Sequence, residues 1–550
     1  MVFLRRFWRS GALYLFLAGL LYLYIAVAPG IGVYDWQKEL AYFAQIKDAL
    51  GNLPHLPFYW WGVPDSISWY PAVAHSHIFV GNPETWLFSP LAFLLLTMKV
   101  TTFAKILPLI FFLIGLTGAF KLRRLLDWTD AQWRLFGLVF FFNPLFIQHF
   151  AIGYTPWLNL FLLPWLVYFL LTPKRFERYL GLPATLAIGL LQGGSHVFVW
   201  FSFVVGLYYA FKAGQERSWR VVREGLLIMS GAALLGWARL FTTLVGYGSF
   251  AQSALPGYSI GNWLFWSTVP PVGLNYAAPN NLFLATVMDD IPSWDAGLYL
   301  GALPLLVIGL LWLMRRRYSI WSQRQQPDMS RLVGVALVLG LLSFSYLWTT
   351  ITFVFGLDLL MSAEKYSFRL LIPALLVMAI PLAGAADALW GAVTDWATQH
   401  RPRFRWLQSI FWLEMIVLLP LLWANIFWVR LATIDRSVHD QPTVHAPVTK
   451  PKLDVNYSGR LLTIKDVPET GVIIPDLLIK DVRLFDQYNV KALSSTGAGI
   501  FVLPERAGEI GFVFRSSQFK TAILLTGIFW SIWLGCLIAG LARRRRNRRL

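Results

Sequence analysis

A single cysteine, Cys536, stands among the 550 residues, which excludes an intrachain disulfide framework and a cysteine-ligated metal site. Only 14% of residues are charged. A soluble domain carries about 25%, so a water-soluble globule is excluded. The chain also has no Walker loop, no GxGxxG strand-turn-helix and no HExxH motif. Nucleotide-driven transport and zincin-type hydrolysis therefore lack their residues.

Hydrophobic residues, in contrast, make up 57% of the chain and aromatic residues 16%, with 27 Trp and 42 Phe. At about 20 residues per bilayer crossing, the composition predicts an all-α polytopic membrane protein. Twelve apolar runs qualify: 11–28, 103–120, 135–150, 157–171, 181–193, 196–211, 225–246, 297–314, 332–350, 367–386, 407–430 and 520–541. The first follows Arg5, Arg6 and Arg9 and reads as a signal anchor. Ala26-Val27-Ala28 resembles a signal-peptidase site, but Pro29 disfavours cleavage. Runs 181–193 and 196–211 are short and meet at Gly193-Gly194, which suggests a broken or re-entrant pair.

The net charge of +18 would point to nucleic acid in a soluble protein; here it is explained by the membrane. Twelve crossings assign 28 of the 47 Lys and Arg to the terminal segments and to loops on the same side, and three, Lys38, Lys47 and Lys365, to the opposite loops 29–86, 151–156, 247–296 and 352–366. That asymmetry predicts cytoplasmic termini in the plasma (inner) membrane. No nucleic-acid partner is implied.

Two outer loops, 29–86 and 247–296, are too long for simple connections and too aromatic for disorder. Within the first, QKELAYFAQIKDAL (37–50) places Leu40, Tyr42, Phe43, Ile46 and Leu50 at helical spacing, which reads as an interfacial helix. From about 431 to 519 short alternating runs (LLTI, GVIIP, IFVLP, IGFVF) punctuated by Pro and Gly predict a small extracytoplasmic β-rich domain, a cap or interaction module by its composition. The organisation is thus a core of 1–430, a β-rich domain of 431–519, and a last helix with a basic cytoplasmic tail, 520–550.

An enzyme at the outer face has no nucleotide sugar to use and must take an activated substrate from the lipid phase. The sharpest chemical feature there is Tyr34-Asp35-Trp36. A carboxylate desolvated among aromatic rings can serve as a general base on a hydroxyl; an N-cap for the helix that follows is the competing reading. A departing phosphate needs cations beside it. Arg239 in GWARLFTTL, and Lys365, Tyr366 and Arg369 in SAEKYSFR, are the candidates. Arg239 either faces an interior cavity or snorkels to the headgroups, and Glu364 competes for Arg369. His75, His77, His149 and His196 fall near the outer face as ligands or as ordinary hydrogen-bonded residues. Asp65, Glu84, Asp289, Asp290 and Asp295 add carboxylates. No compact metal-ligand spacing occurs; a divalent cation is compatible with the sequence but not required by it.

The segments YDWQKELAYFAQIKDALGNLPHLPFYWWGVPDS, GNPETWLFSPLAFLLL, FFNPLFIQHFAIGYTPWLNLFLLPW, LLQGGSHVFVW and SAEKYSFRLLIPALL, in that order, resemble the GT-C superfold of membrane glycosyltransferases, in particular its YfhO-like branch. The resemblance covers roughly residues 1–390 and, more loosely, the β-rich tail with its final crossing. It implies a polyprenyl-phosphate-linked sugar donor, inversion at the anomeric carbon, and an extracytoplasmic glycan, lipid or protein acceptor. It also implies Asp35 at the catalytic-base position, Arg369 at the family's late arginine behind Lys365, and His149, Tyr154 and His196 around the cavity; Arg239 and Glu84 join them as candidate donor-phosphate or substrate-binding residues from their own positions. A flippase for lipid-linked saccharides and a non-catalytic GT-C-like scaffold are the alternatives from other classes. Against transport, the two halves lack a convincing internal repeat.

Overall fold

The computed structural model describes residues 12–27, 36–51, 84–141, 143–151, 153–247, 321, 325–354, 367–385, 387–388, 454–458, 461–474, 485–496, 499–514 and 517–549. They are mostly helical, with a small β region ahead of the last helix. Helices α1 (Ala12–Val27) and α2 (Trp36–Gly51) are followed by a 3-10 helix, Pro90–Leu96, and by α3 (Val100–Leu126). Ser89 caps the 3-10 helix, its hydroxyl accepting from Leu91 N at 3.1 Å. Asp127 ends α3 in the left-handed region, φ 49°, after Arg123 and Arg124 have complemented the helix dipole.

Several expected crossings are interrupted, each for a readable reason. Run 135–150 is split into α4 (Asp130–Phe141) and α5 (Pro144–Ala151), because Pro144 cannot continue a helix and Asn143 Oδ1 caps Leu145 N at 3.0 Å. Run 157–171 starts as a 3-10 helix, Thr155–Leu162, before becoming α6 (Leu163–Leu171). The runs meeting at Gly193-Gly194 are α7 (Arg175–Leu191) and α8 (Ser195–Glu216), two helices packed on each other round a tight turn. The break lies instead in run 225–246: α9 (Trp219–Leu235) and α10 (Trp237–Tyr247) meet at Gly236 with a bend of 76°. Run 332–350 is divided at Ser343-Phe344 into α11 (Gln326–Leu342) and α12 (Ser345–Val354). Run 367–386 is a 3-10 turn, Ser367–Leu370, followed by α13 (Leu371–Gly384). Runs 297–314 and 407–430 lie outside the described residues.

Among the described residues three helices are long and apolar enough to cross a membrane: Val100–Leu126, Ser195–Glu216 and Thr521–Arg543. The bent pair at Gly236 makes a fourth if it counts as one span. The last of the three belongs to α14 (Ser517–Arg549), which exposes Leu524, Ile532 and Ile538, a surface suited to lipid.

Aromatic rings fill the core. Phe43 and Trp86 meet edge to face, and both do the same with Phe103; Tyr22 stacks on Phe112. One end of the bundle is tied by charges. Arg178 pairs with Glu224 at 2.7 Å, while Arg331 holds Asp328 at 2.8 Å and Gln215 at 2.8 Å, joining the starts of α7, α9 and α11 to the end of α8.

The expected β-rich region is present. Strands β1 (Asp454–Ser458), β2 (Leu461–Val467), β7 (Gly508–Phe514) and β4 (Phe485–Tyr488) form one antiparallel sheet in the order β1-β2-β7-β4. A second has the order β3-β6-β5, from β3 (Val472–Ile474), β5 (Val490–Thr496) and β6 (Gly499–Pro504). Asn489, at φ 54°, passes the chain between the sheets. Its side chain donates to Arg506 O and Glu509 O and accepts from Arg506 N.

Candidate functional site

The hub is the segment His149–Trp157, which links α5 to the 3-10 helix before α6. Gly153 turns it with φ +88°, a conformation open to glycine, and Tyr154 N closes the turn on His149 O at 2.8 Å. His149 is buried, and its Nδ1 faces Leu145 O at 2.8 Å. A carbonyl only accepts, so Nδ1 carries a proton. The imidazole stacks on Trp157 at 3.7 Å between centroids, 12° from parallel.

Four of the sequence-predicted residues converge here. The Arg369 guanidinium, delivered by the 3-10 turn before α13, sits 5.6 Å from the centre of Trp157, within cation–π range. Tyr154 lies 5.9 Å from His149 and 6.1 Å from Trp157. Trp200 meets Trp157 edge-on at 5.2 Å, and His196, one turn earlier on α8, leans on Trp200 at 6.2 Å.

Helix α2 is keyed to the same segment at two points. Trp36 Nε1 donates to Phe150 O at 2.7 Å, and the Thr155 hydroxyl donates to Glu39 Oε2 at 2.5 Å. Trp86 Nε1, a donor only, supplies Thr155 Oγ1 at 3.1 Å, so the threonine proton is directed to the carboxylate. The helix expected over 37–50 is thus present, but Trp36, Glu39, Tyr42, Phe43 and Ile46 are all buried in the protein.

The two readings of Arg239 are resolved by burial: the residue is 0% exposed, so it does not snorkel. Its Nη2 donates to Thr85 O at 2.5 Å and to Thr85 Oγ1 at 3.0 Å, and the guanidinium lies 4.8 Å from the centre of Phe88. Glu84, half-buried, precedes Thr85, and its backbone is pressed against the Gly193-Gly194 turn. A Cβ on Gly193 would lie 2.3 Å from Glu84 O, and Gly193 has φ +76°. Arg239, Thr85, Trp86, Thr155 and Glu39 therefore form a continuous polar path through an aromatic core.

Asp35 and Lys365 lie outside the described residues, as do Tyr34, Asp65, His75, His77, Asp289, Asp290, Asp295, Glu364 and Tyr366. The residues flanking them in sequence are placed: Trp36 as above, and Ser367, whose hydroxyl donates to Ser343 O at 3.2 Å. Among the described residues no three of His, Cys, Asp and Glu form a group able to hold a metal ion.

Glu39, Thr85, Thr155, Trp157 and Trp200 were not singled out from sequence. Glu39 had a signal: it is an acid three residues from Trp36 and from Tyr42, on the face that periodicity marks as apolar. Comparison of the chain with protein-family models, curated proteins and solved structures finds no match in any of the three.

Proposed function

We propose that the protein is a polytopic membrane glycosyltransferase of GT-C type that moves a sugar from a polyprenyl-phosphate carrier to an extracytoplasmic acceptor. Asp35 is the general base in this reading, the chain crosses the plasma (inner) membrane about twelve times, and both termini are cytoplasmic. The observation that carries it is the convergence of His149, Tyr154, His196 and Arg369 on Trp157 and Trp200, in a segment that α2 grips through Trp36, the residue after Asp35.

The chemistry asked of these groups balances. Asp35 takes the proton of the acceptor hydroxyl as that oxygen bonds to the anomeric carbon, and the bond from that carbon to the phosphate oxygen breaks with inversion. The lipid phosphate departs as a stable anion. Arg369, Lys365 and Arg239 are the cations offered to it. Tryptophan faces suit the C–H surface of a sugar, and amphipathic partners such as Tyr154 its hydroxyls.

The test uses the full chain in nanodiscs containing phosphatidylglycerol, with synthetic polyprenyl-phosphate sugars as donors and release of polyprenyl phosphate as the readout. Asp35→Asn is expected to lower turnover at least about 100-fold, the lower range of general-base contributions, and to leave farnesyl phosphate binding intact. Full transfer by a normally folded Asp35→Asn protein would sink the assignment.

One observation favours a flippase instead: the 76° break at Gly236, since discontinuous helices also build transporter sites. Movement of an intact fluorescent lipid-linked saccharide between leaflets, with no sugar released, would select that reading.

A further inference from the structure

Breaking a helix inside a hydrophobic core frees backbone groups that need partners. At the α9–α10 junction Gly236 O takes Arg239 N and Leu240 N, both at 3.0 Å. Two further groups are met from α14. Trp530 Nε1 donates to Leu235 O at 2.9 Å, and Ala238 N donates to the Thr526 hydroxyl at 2.7 Å. Thr526 and Trp530 are four residues apart, on one face of α14, and Thr526 is buried. The two bonds seize the last residue of α9 and the second residue of α10, one on each side of the bend. The residue after Ala238 is Arg239, whose guanidinium reaches Thr85 and Phe88.

We propose that Thr526 and Trp530 are positioning residues: they hold the bend at Gly236 and thereby set where Arg239 stands beside Glu84-Thr85-Trp86. This rests on the reading of Arg239 as a cation for the donor phosphate. The last helix then does more than anchor the β-rich region. It completes the site from the far end of the sequence.

Thr526→Val keeps the side-chain shape and removes the acceptor for Ala238 N. In the full chain in nanodiscs, amide hydrogen exchange across residues 236–247 is expected to rise about 5-fold, the equivalent of one ordinary hydrogen bond. Farnesyl phosphate, the probe, is expected to bind about 5-fold more weakly. Thr526→Ser should restore both values. In an Arg239→Gln background, Thr526→Val should cause no further loss of binding, a dependence that a purely structural role would not produce.

Unchanged exchange in Thr526→Val overturns the clamp. Faster exchange with unchanged probe binding, or an equal loss in the Arg239→Gln background, overturns its link to Arg239. If the wild-type protein does not bind farnesyl phosphate, the donor-site reading fails and the positioning role falls with it, while the exchange result still decides whether α14 holds the bend.

Discussion

Glu39→Ala and Thr155→Val, singly and together, ask whether the carboxylate buried on α2 holds the segment that carries the site. Glu39 is 1% exposed and accepts the Thr155 proton at 2.5 Å. A hydrogen bond to a charged group contributes about 1.5–3 kcal/mol net, whereas polar pairs between membrane helices average about 0.6 kcal/mol. The coupling energy distinguishes the two. Thr155→Val also strips the acceptor from Trp86 Nε1, and an orphaned buried donor costs about 1–3 kcal/mol. That loss is the same with or without Glu39, so it cancels in the double-mutant cycle. Each single substitution is expected to cost about 2–4 kcal/mol, and the pair to cost less than their sum by about 1.5–3 kcal/mol. Unfolding of the full chain by sodium dodecyl sulfate in mixed micelles, followed by tryptophan fluorescence, measures all four corners. A coupling of about 0.6 kcal/mol or less would refute the reasoning: the bond would then hold α2 to the hub no more firmly than an ordinary polar pair between membrane helices.

Two other outcomes follow from backbone geometry and from the sheet. Gly193→Ala, at φ +76° and with its Cβ 2.3 Å from Glu84 O, is expected to destabilise by about 2 kcal/mol or more, since the left-handed region alone costs an L-residue about 1–2 kcal/mol. Gly206→Ala, in the middle of α8 with open space at its Cβ, should stabilise by about 0.5–1 kcal/mol; the same unfolding assay compares them, and equal signs would contradict the account. In the β region, burial and then the hydrogen bond to Glu509 push the Tyr488 phenol up to about 12. A folded pKa above the unfolded one favours the protonated form, so this contribution is complete below about pH 10 and is lost as pH rises towards 12. Near-ultraviolet titration should therefore show a component ionising towards pH 12 that is absent from Tyr488→Phe, and an unchanged titration curve would sink the assignment.

Much of the fold was legible because it rests on composition and periodicity. The helix over 37–50, the long helix around 103–120, and the strands after 450 follow from apolar spacing and turn residues. Hydropathy did not reveal where helices stop within an apolar run, because it averages over residues such as Asn143, Gly236 and Ser343 whose effect is local. Of the site, His149, His196, Arg369 and Arg239 were visible as polar groups in apolar or aromatic surroundings, and Tyr154 only through the family resemblance. Trp157 and Trp200 were not, since Trp is abundant throughout the chain and only tertiary packing separates a hub ring from a belt ring. Glu39 was masked by its neighbour Lys38 in QKEL, and its burial is set by contacts with Thr155, more than a hundred positions away.

The interruptions that defeat a reading by continuous runs also place backbone polar groups inside the core. An unbroken helix spends its amides and carbonyls on itself and offers an apolar interior only side chains. Here, Phe150 O at the end of α5 receives Trp36, the turn at Gly153 brings Thr155 to Glu39 and Trp86, and the Gly193-Gly194 turn seats Glu84 and Thr85. The bend at Gly236 then carries Arg239 to the Thr85 carbonyl, and the break at Ser343 exposes the carbonyl that takes Ser367, two residues before Arg369. Irregular backbone at hydrophobic depth persists only where protein or an internal cavity surrounds it. Its gathering around one aromatic segment, instead of a scatter through the bundle, is the architectural reason to look for the reaction there.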